Sequence, residues 1–110
     1  MKNDPVSGLL SLCAAGRNLV SGEFSVEKAI KEGRASVVIL AADASDNTKK
    51  AFSDSCSYRK IPLFIYGTKE SLGHAIGKEE RASVAITDEG LSKGIVEKLR
   101  LSEEANGGNK

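Results

Sequence analysis

The hydrophobic residues of this chain alternate between helical spacing and short continuous runs. Between residues 6 and 13, apolar side chains fall at i, i+3, i+4 and i+7, which indicates an amphipathic helix with one buried face. Asp4 is a suitable N-cap, Pro5 suits the first turn and Gly16 suits the end. This pattern predicts a first helix between Asp4 and Gly16.

The same two patterns continue along the rest of the chain. The run "SVVILAA" at residues 36–42 is typical of a strand that is covered on both faces. Shorter runs at residues 19–20, 61–66 and 82–87 predict three more strands. Four further helices are expected between and after these strands, with Ser21, Ser45, Thr68 and Asp88 as their caps and with Gly33 and Gly77 at the ends of the second and fourth helices.

Alternating helices and strands in this order favour an α/β fold, a three-layer α/β/α sandwich around a small, mostly buried sheet. At 110 residues and 40% hydrophobic content, the chain suits one domain, which we place at residues 1–101. The tail at residues 102–110 is polar and rich in glycine, and we expect it to be disordered.

Charge and composition exclude several classes of protein. A formal net charge of +1 rules out a strongly basic DNA-coating protein, so any nucleic-acid site must be a local patch. The sequence contains no apolar stretch of membrane-spanning length and no signal peptide, and we expect a cytoplasmic protein without membrane contact. Cys13 and Cys56 are expected as small core residues, and the single His74 lacks partners for a metal site, so we expect neither metal nor cofactor.

The second helix has an unusual polar face. On a helical wheel Val26 and Ile30 mark the core side, whereas Phe24, Lys28 and Lys31 lie together on roughly the opposite side. An aromatic ring beside two ammonium groups at a helix start suits nucleic acid, because the ring can stack and the cations can meet phosphates. The alternative is that the ring covers a neighbouring loop and the lysines only balance nearby glutamates.

The sequence resembles the superfamily of large-subunit ribosomal proteins seven-Ae and thirty-e, and within it the bacterial YlxQ-type branch. Three ordered blocks carry this resemblance, "SGEFSVEKAIKEGRASVVILAAD", "IPLFIYGTKESLGHAIGK" and "RASVAITD", and it covers roughly residues 6 to 100. Members of this superfamily commonly bind kink-turn RNA. The resemblance implies an α/β/α sandwich with a small mixed four-stranded sheet, which agrees with the hydrophobic pattern.

The resemblance also implies where RNA would bind. In RNA-binding members the start of the second helix and the loop before the last strand grip the RNA together. Gly22 and Lys28 match the helix motif of the family, whereas Phe24 and Ser25 stand where its Asn and Glu would be. A phenyl ring cannot hydrogen-bond to the sheared G·A pairs of a kink-turn, so we expect the fold to carry over better than this specificity. The predicted RNA-binding residues are Arg17, Gly22, Glu23, Phe24, Ser25, Lys28, Lys31, Lys78, Arg81, Ala82 and Ser83.

Together these features predict a non-enzymatic, monomeric RNA-binding protein. The expected partner is structured, kink-turn-like RNA, above all ribosomal RNA, with other ribosomal or translation proteins as further partners. One alternative is a protein–protein interaction module on the same fold. A small-molecule enzyme is the other, since Asp43 follows the buried strand where α/β proteins often hold ligands; however, the sequence lacks a GxGxxG or GxxxxGK[ST] motif.

Overall fold

Five helices and four strands alternate over residues 4–107, as the hydrophobic pattern predicts. The computed structural model describes the backbone of residues 4–107 and the side chains of residues 4–102. The elements in chain order are α1 (Pro5–Ala15), β1 (Leu19–Ser21), α2 (Glu23–Lys31), β2 (Val37–Leu40), α3 (Asp46–Arg59), β3 (Leu63–Ile65), α4 (Lys69–Ala75), β4 (Ser83–Ile86) and α5 (Glu89–Gly107).

The strands form one mixed four-stranded sheet in the order β1-β4-β2-β3. β2 and β3 run parallel, with Val38 opposite Leu63, whereas β4 is antiparallel to both β1 and β2. The predicted small mixed sheet is thereby confirmed. Because β1 and β4 are antiparallel, the end of β1 lies beside the beginning of β4, where Ser21 pairs with Val84.

The layers of the fold follow from the side chains of β2. Val37 and Ile39 join the core cluster that α1, α4 and α5 cover, while Val38 and Leu40 join the cluster beneath α2 and α3. All four are fully buried. A strand that is covered on both faces needs apolar residues at every position, which explains its continuous apolar run. The predicted three-layer α/β/α sandwich is confirmed.

The beginnings of the helices agree with the sequence except at α2. Asp4, Ser45 and Thr68 each accept a hydrogen bond from the first turn of their helix. Ser21 is not a cap, contrary to the prediction. It is the last residue of β1, and Gly22 occupies the N-cap position of α2 with a φ of 92°. Because β1 extends to Ser21, the chain must turn into α2 within one residue, which a positive-φ glycine allows.

The last helix is longer than the sequence pattern indicates. Asp88 Oδ2 accepts a hydrogen bond from Leu91 N–H at 2.8 Å, as expected for its cap. However, α5 continues to Gly107, past the predicted domain end at residue 101. The sequence there contains Glu and Ala, which favour helix. Residues 108–110 of the predicted tail lie outside the described residues.

The two cysteines are free thiols in the two separate core clusters, on opposite sides of the sheet. Burial raises the pKa of the Cys56 thiol to about 11, with a smaller contribution from the Glu27 carboxylate. Burial also raises the pKa of Cys13. Both thiols are therefore protonated at neutral pH and act as small core residues, as predicted.

Candidate nucleic-acid interface

Two segments that are far apart in sequence meet at one end of the sheet. Gly22 N–H, at the start of α2, donates a 3.0 Å hydrogen bond to the backbone C=O of Ser83, at the start of β4. Beside it, Arg81 Nε donates to Ser21 Oγ at 3.1 Å. The β1–α2 junction and the loop at residues 78–83 therefore form one continuous surface, which we call the junction surface.

The N-terminus of α2 faces this surface without a side-chain cap. The first helical hydrogen bond runs from Val26 N–H to Gly22 C=O at 3.0 Å, and the preceding N–H groups of the first turn have no capping side chain. These N–H groups and the helix dipole attract negatively charged groups. A Cβ atom at Gly22 would meet no atom within 4 Å, so glycine is needed there for its φ and not for space.

The outward side of α2 has the composition that the helical wheel predicts. Phe24 is 80% exposed, and Lys28 lies one turn further along on the same side, also exposed. Ser25 is half-buried. Glu23 is exposed in the first turn, where its carboxylate interacts favourably with the helix dipole but repels phosphate. The alternative in which Phe24 folds over a neighbouring loop does not fit its exposure.

Lys31 lies apart from the rest of the predicted site. At 1.5 Å per residue it is about 13 Å along the axis of α2 from Gly22. Instead of facing the loop at residues 78–83, it lines a separate depression with residues of α3. The structure therefore does not bring Lys31 into the junction surface.

The loop at residues 78–83 supplies two cations, and also the exposed carboxylates of Glu79 and Glu80, to the junction surface. Lys78 is exposed, while Arg81 is half-buried and its guanidinium is held by two hydrogen bonds, to Ser21 Oγ and from Nη1 to the Glu80 C=O at 2.9 Å. A guanidinium has five N–H donors, so further donors are left for a ligand. Arg81 is thus oriented before any ligand binds.

Close packing against α4 holds this loop in position. A Cβ atom on Gly73 would lie 1.8 Å from the backbone oxygen of Glu79, a contact that no side chain could make without moving the loop. Gly73 therefore lets the backbone of this loop lie directly against α4.

Two residues of the loop are less accessible than predicted. Ala82 is half-buried, and its backbone C=O accepts a hydrogen bond from Ala41 N–H at 2.9 Å. Ser83 is only 1% exposed because it is already the first residue of β4, and its hydroxyl has no hydrogen-bond partner among the described residues. The predicted contact of the Ser83 side chain with RNA does not fit this burial, whereas its backbone C=O positions Gly22.

Arg17 borders the junction surface in a strained conformation. Its φ is 61°, the left-handed region, at the position after a helix where glycine is usual. Arg17 N–H bonds to Ala14 C=O at 3.1 Å and Asn18 N–H to Cys13 C=O at 2.8 Å, the two bonds of a Schellman motif. A non-glycine residue here costs about 1–3 kcal/mol, and such strain is concentrated at functional sites. The sequence pattern indicates only the end of the helix, at Gly16, and gives no sign of this conformation.

A groove joins Arg17 to the other residues of the junction surface. It has a volume of about 590 Å³ and lies between α1, β1 and the end of α4, with Arg17, Ser21 and Lys78 among its lining residues. A larger depression of about 760 Å³ lies at the opposite end of the sheet, between the loop before β2 and α5, and none of the predicted RNA-binding residues lines it. Position, rather than size, therefore marks the candidate site.

Side chains outside the junction surface that could take part in catalysis or metal binding have a structural role or lack neighbouring reactive groups among the described residues. Asp43 Oδ1 accepts a hydrogen bond from Lys69 N–H at 2.8 Å and so ties its loop to the start of α4. His74 is exposed on α4. Within the described part of the chain, no group of His, Cys, Asp or Glu residues could hold a metal ion. No helix among residues 4–107 is both long enough and apolar enough to span a membrane.

Comparison with known families gives a match over most of the chain. Residues 4–96 fit the model of the "Ribosomal protein L7Ae/L30e/S12e/Gadd45 family". A similar protein is the RNA-binding protein YlxQ of Bacillus subtilis (strain 168), which is 43% identical over 91 residues that cover 83% of this chain and 91% of that protein.

Two solved structures share the fold. A protein of unknown function from Bacillus halodurans C has a TM-score of 0.86 at 37% identity, and the match covers 88% of this chain and 98% of that one. The Giardia lamblia 15.5kD RNA binding protein has a TM-score of 0.76 at 23% identity, over 90% of this chain and 85% of that one. At this lower identity the likeness shows the fold alone.

Proposed function

Because this chain belongs to the ribosomal protein L7Ae/L30e/S12e/Gadd45 family, we propose that it is a non-enzymatic RNA-binding protein whose site is the junction surface. Its ligand is structured RNA of the kink-turn type, and it acts on ribosomal RNA in the cytoplasm as a monomer. Other ribosomal or translation proteins are its further partners.

The observation that carries this proposal is the backbone bond from Gly22 to Ser83. It fixes an uncapped helix start next to the loop that carries Lys78 and Arg81, so that the helix dipole, the N–H groups and two cations lie at one place, although the same loop also carries two exposed glutamates. A phosphate backbone is the ligand that uses all three.

Each part of the surface has a distinct role in binding. Arg17, Lys28, Lys78 and Arg81 meet phosphates, with Arg81 already oriented by its bonds to Ser21 and Glu80. The first N–H groups of α2 donate to RNA oxygens. The exposed ring of Phe24 stacks on an unpaired base or wedges against one.

This chemistry selects RNA by shape more than by base edges. The resemblance places Asn and Glu at the positions of Phe24 and Ser25 in family members, and neither residue here can read a sheared G·A pair in the same way. A kinked RNA still offers what Phe24 needs, since bases are unstacked at a kink and phosphates crowd together there. We therefore expect tolerance of changes in the G·A pairs.

The second candidate is a protein-interaction module, which the 80% exposure of Phe24 on a nearly neutral protein favours. Salt separates the two functions. Binding through several phosphates releases counterions and weakens steeply as salt rises, whereas burial of an aromatic residue in a protein pocket depends little on salt.

The test is a set of titrations at low and high salt with three RNAs: a kink-turn, the same RNA with its G·A pairs replaced, and a plain duplex. We expect salt-sensitive binding to the kink-turn and to its G·A-replaced version, and weaker binding to the duplex. Lys28→Ala should lower the slope of log affinity against log salt by about 0.7–0.9, one phosphate contact. Equal, weak binding to all three RNAs would contradict the proposal and favour the protein-interaction module.

A further inference from the structure

The end of α3 carries a second exposed aromatic residue within a basic cluster. Tyr58 is 83% exposed, more than Phe24, and the Arg59 guanidinium carbon lies 5.9 Å from the centre of its ring. An exposed ring of this size contributes little to the core. An exposed aromatic ring beside a cation is typical of a base-stacking site, where the aromatic face and the positive charge act together.

A depression connects this cluster to α2. It has a volume of about 300 Å³ and is lined by Ile30 and Lys31 of α2 and by Ser55, Tyr58 and Arg59 of α3. Both charged residues in that lining, Lys31 and Arg59, are cations, so the depression is complementary to a negative ligand.

Backbone strain gives an independent indication at the same place. α2 and α4 are followed by Gly33 and Gly77 in the left-handed region, whereas α1 and α3 are followed by Arg17 and Lys60, with φ values of 61° and 60°. Around Lys60, Lys60 N–H bonds to Ser57 C=O and Ile61 N–H to Cys56 C=O, as in the Schellman motif at Arg17. A cation thus replaces the less strained glycine next to Tyr58, just as it does at the junction surface.

The outward side of α2 forms a path between the two places. Phe24, Lys28 and Lys31 are spaced i, i+4 and i+7 and therefore share one side of the helix, over about 10 Å of its axis. RNA that leaves the junction surface along this side passes two lysines and reaches Tyr58.

We propose that the depression between α2 and α3 binds a single-stranded RNA segment that continues from the RNA on the junction surface. An unpaired base stacks on Tyr58, and its flanking phosphates contact Lys31 and Arg59. A paired base could not do this, because only an unstacked base presents its face to a side chain. The inference rests on the proposed function, since the junction surface provides the first contact.

The test compares a blunt kink-turn RNA, the same RNA with an unpaired uridine tract at one or the other end, and free oligouridine. We expect wild-type protein to bind one extended RNA more tightly than the blunt RNA. Tyr58→Ala should remove this gain, about fivefold or more, and leave the affinity for blunt RNA unchanged. Tyr58→Phe should keep the gain, because the phenyl ring still stacks.

Controls separate this inference from the proposed function. Lys93→Ala removes an exposed lysine from α5 and should leave every affinity unchanged, whereas Lys31→Ala should reduce only the gain from the extension. Loss of binding to blunt RNA in Phe24→Ala supports the junction surface whatever Tyr58 does. The inference is overturned if the unpaired tract adds nothing at either end, or if its gain persists in Tyr58→Ala, as it would if Tyr58 contacted a protein instead. If blunt RNA does not bind, free oligouridine tests the inference alone. Wild-type protein should bind it and Tyr58→Ala should not; any other result overturns the inference.

Discussion

The two sides of α2 carry opposite kinds of residue over the same short helix. Val26, Ala29 and Ile30 face the core and are at most 1% exposed, whereas Phe24 is 80% exposed and Lys28 is exposed beside it. The inward side removes apolar surface from water, which is the dominant favourable contribution to folding. The outward side leaves an aromatic ring in water, where it stabilises nothing in the isolated protein.

Different residues of the same helix are therefore responsible for stability and for binding. Substitutions on the inward side should change the free energy of unfolding and leave the affinity of the folded protein for blunt kink-turn RNA intact. Outward substitutions should do the reverse.

The largest effect is expected on the inward side. Ile30→Ala should lower the free energy of unfolding by about 2–5 kcal/mol, because it removes buried methyl groups and leaves a cavity between α2 and the sheet. Urea unfolding measures this loss. The neighbouring Lys31→Ala is the matched control and should stay within about 0.5 kcal/mol of wild type. A loss for Ile30→Ala no larger than that of the control would show that the inward side does not hold α2 in place.

The next effect belongs to the outward side. Phe24→Ala should weaken RNA binding by about 1–3 kcal/mol through lost stacking, with the midpoint of urea unfolding nearly unchanged. Binding titrations with a kink-turn RNA measure the loss of affinity. Phe24→Tyr, which keeps an aromatic face, should retain most of the affinity. If Phe24→Ala destabilised the fold as much as Ile30→Ala does, the two sides of α2 would not be separable.

The sequence was sufficient for the layers of the fold and for the two sides of α2. The run from Val37 to Leu40 has no polar position, which only a strand covered on both faces requires, and the 3.6-residue period of α2 places Val26 and Phe24 on opposite sides. Both properties are local periodicities, so they can be read without knowing which elements touch.

Features that depend on contacts between distant segments were not predictable from the local pattern. Ser21 has the chemistry of a helix cap, but its pairing with Val84 keeps it in β1. Ser83 belongs both to the apolar run that predicts the last strand and to the RNA-binding loop that the resemblance implies; as the first residue of β4 it is buried. Without the resemblance, nothing in the sequence places Gly22 beside the loop at residues 78–83.

The smallest effect tests whether one residue can exchange stability for binding. Arg17 holds the left-handed position after α1 that Gly33 holds after α2, so Arg17→Gly should relieve strain and raise the free energy of unfolding by about 1 kcal/mol. The same variant should bind kink-turn RNA more weakly and with a lower salt slope, because one phosphate contact is lost. Gly33→Arg is the reverse control: a Cβ atom there meets no atom within 4 Å, so the main change is the added backbone strain and stability should fall by a similar amount. If Arg17→Gly raises the free energy of unfolding and lowers the affinity for RNA, stability and binding are separable at the end of α1 as well as across α2. A variant that gained stability and kept its RNA affinity would instead make Arg17 a strained residue with no part in the junction surface.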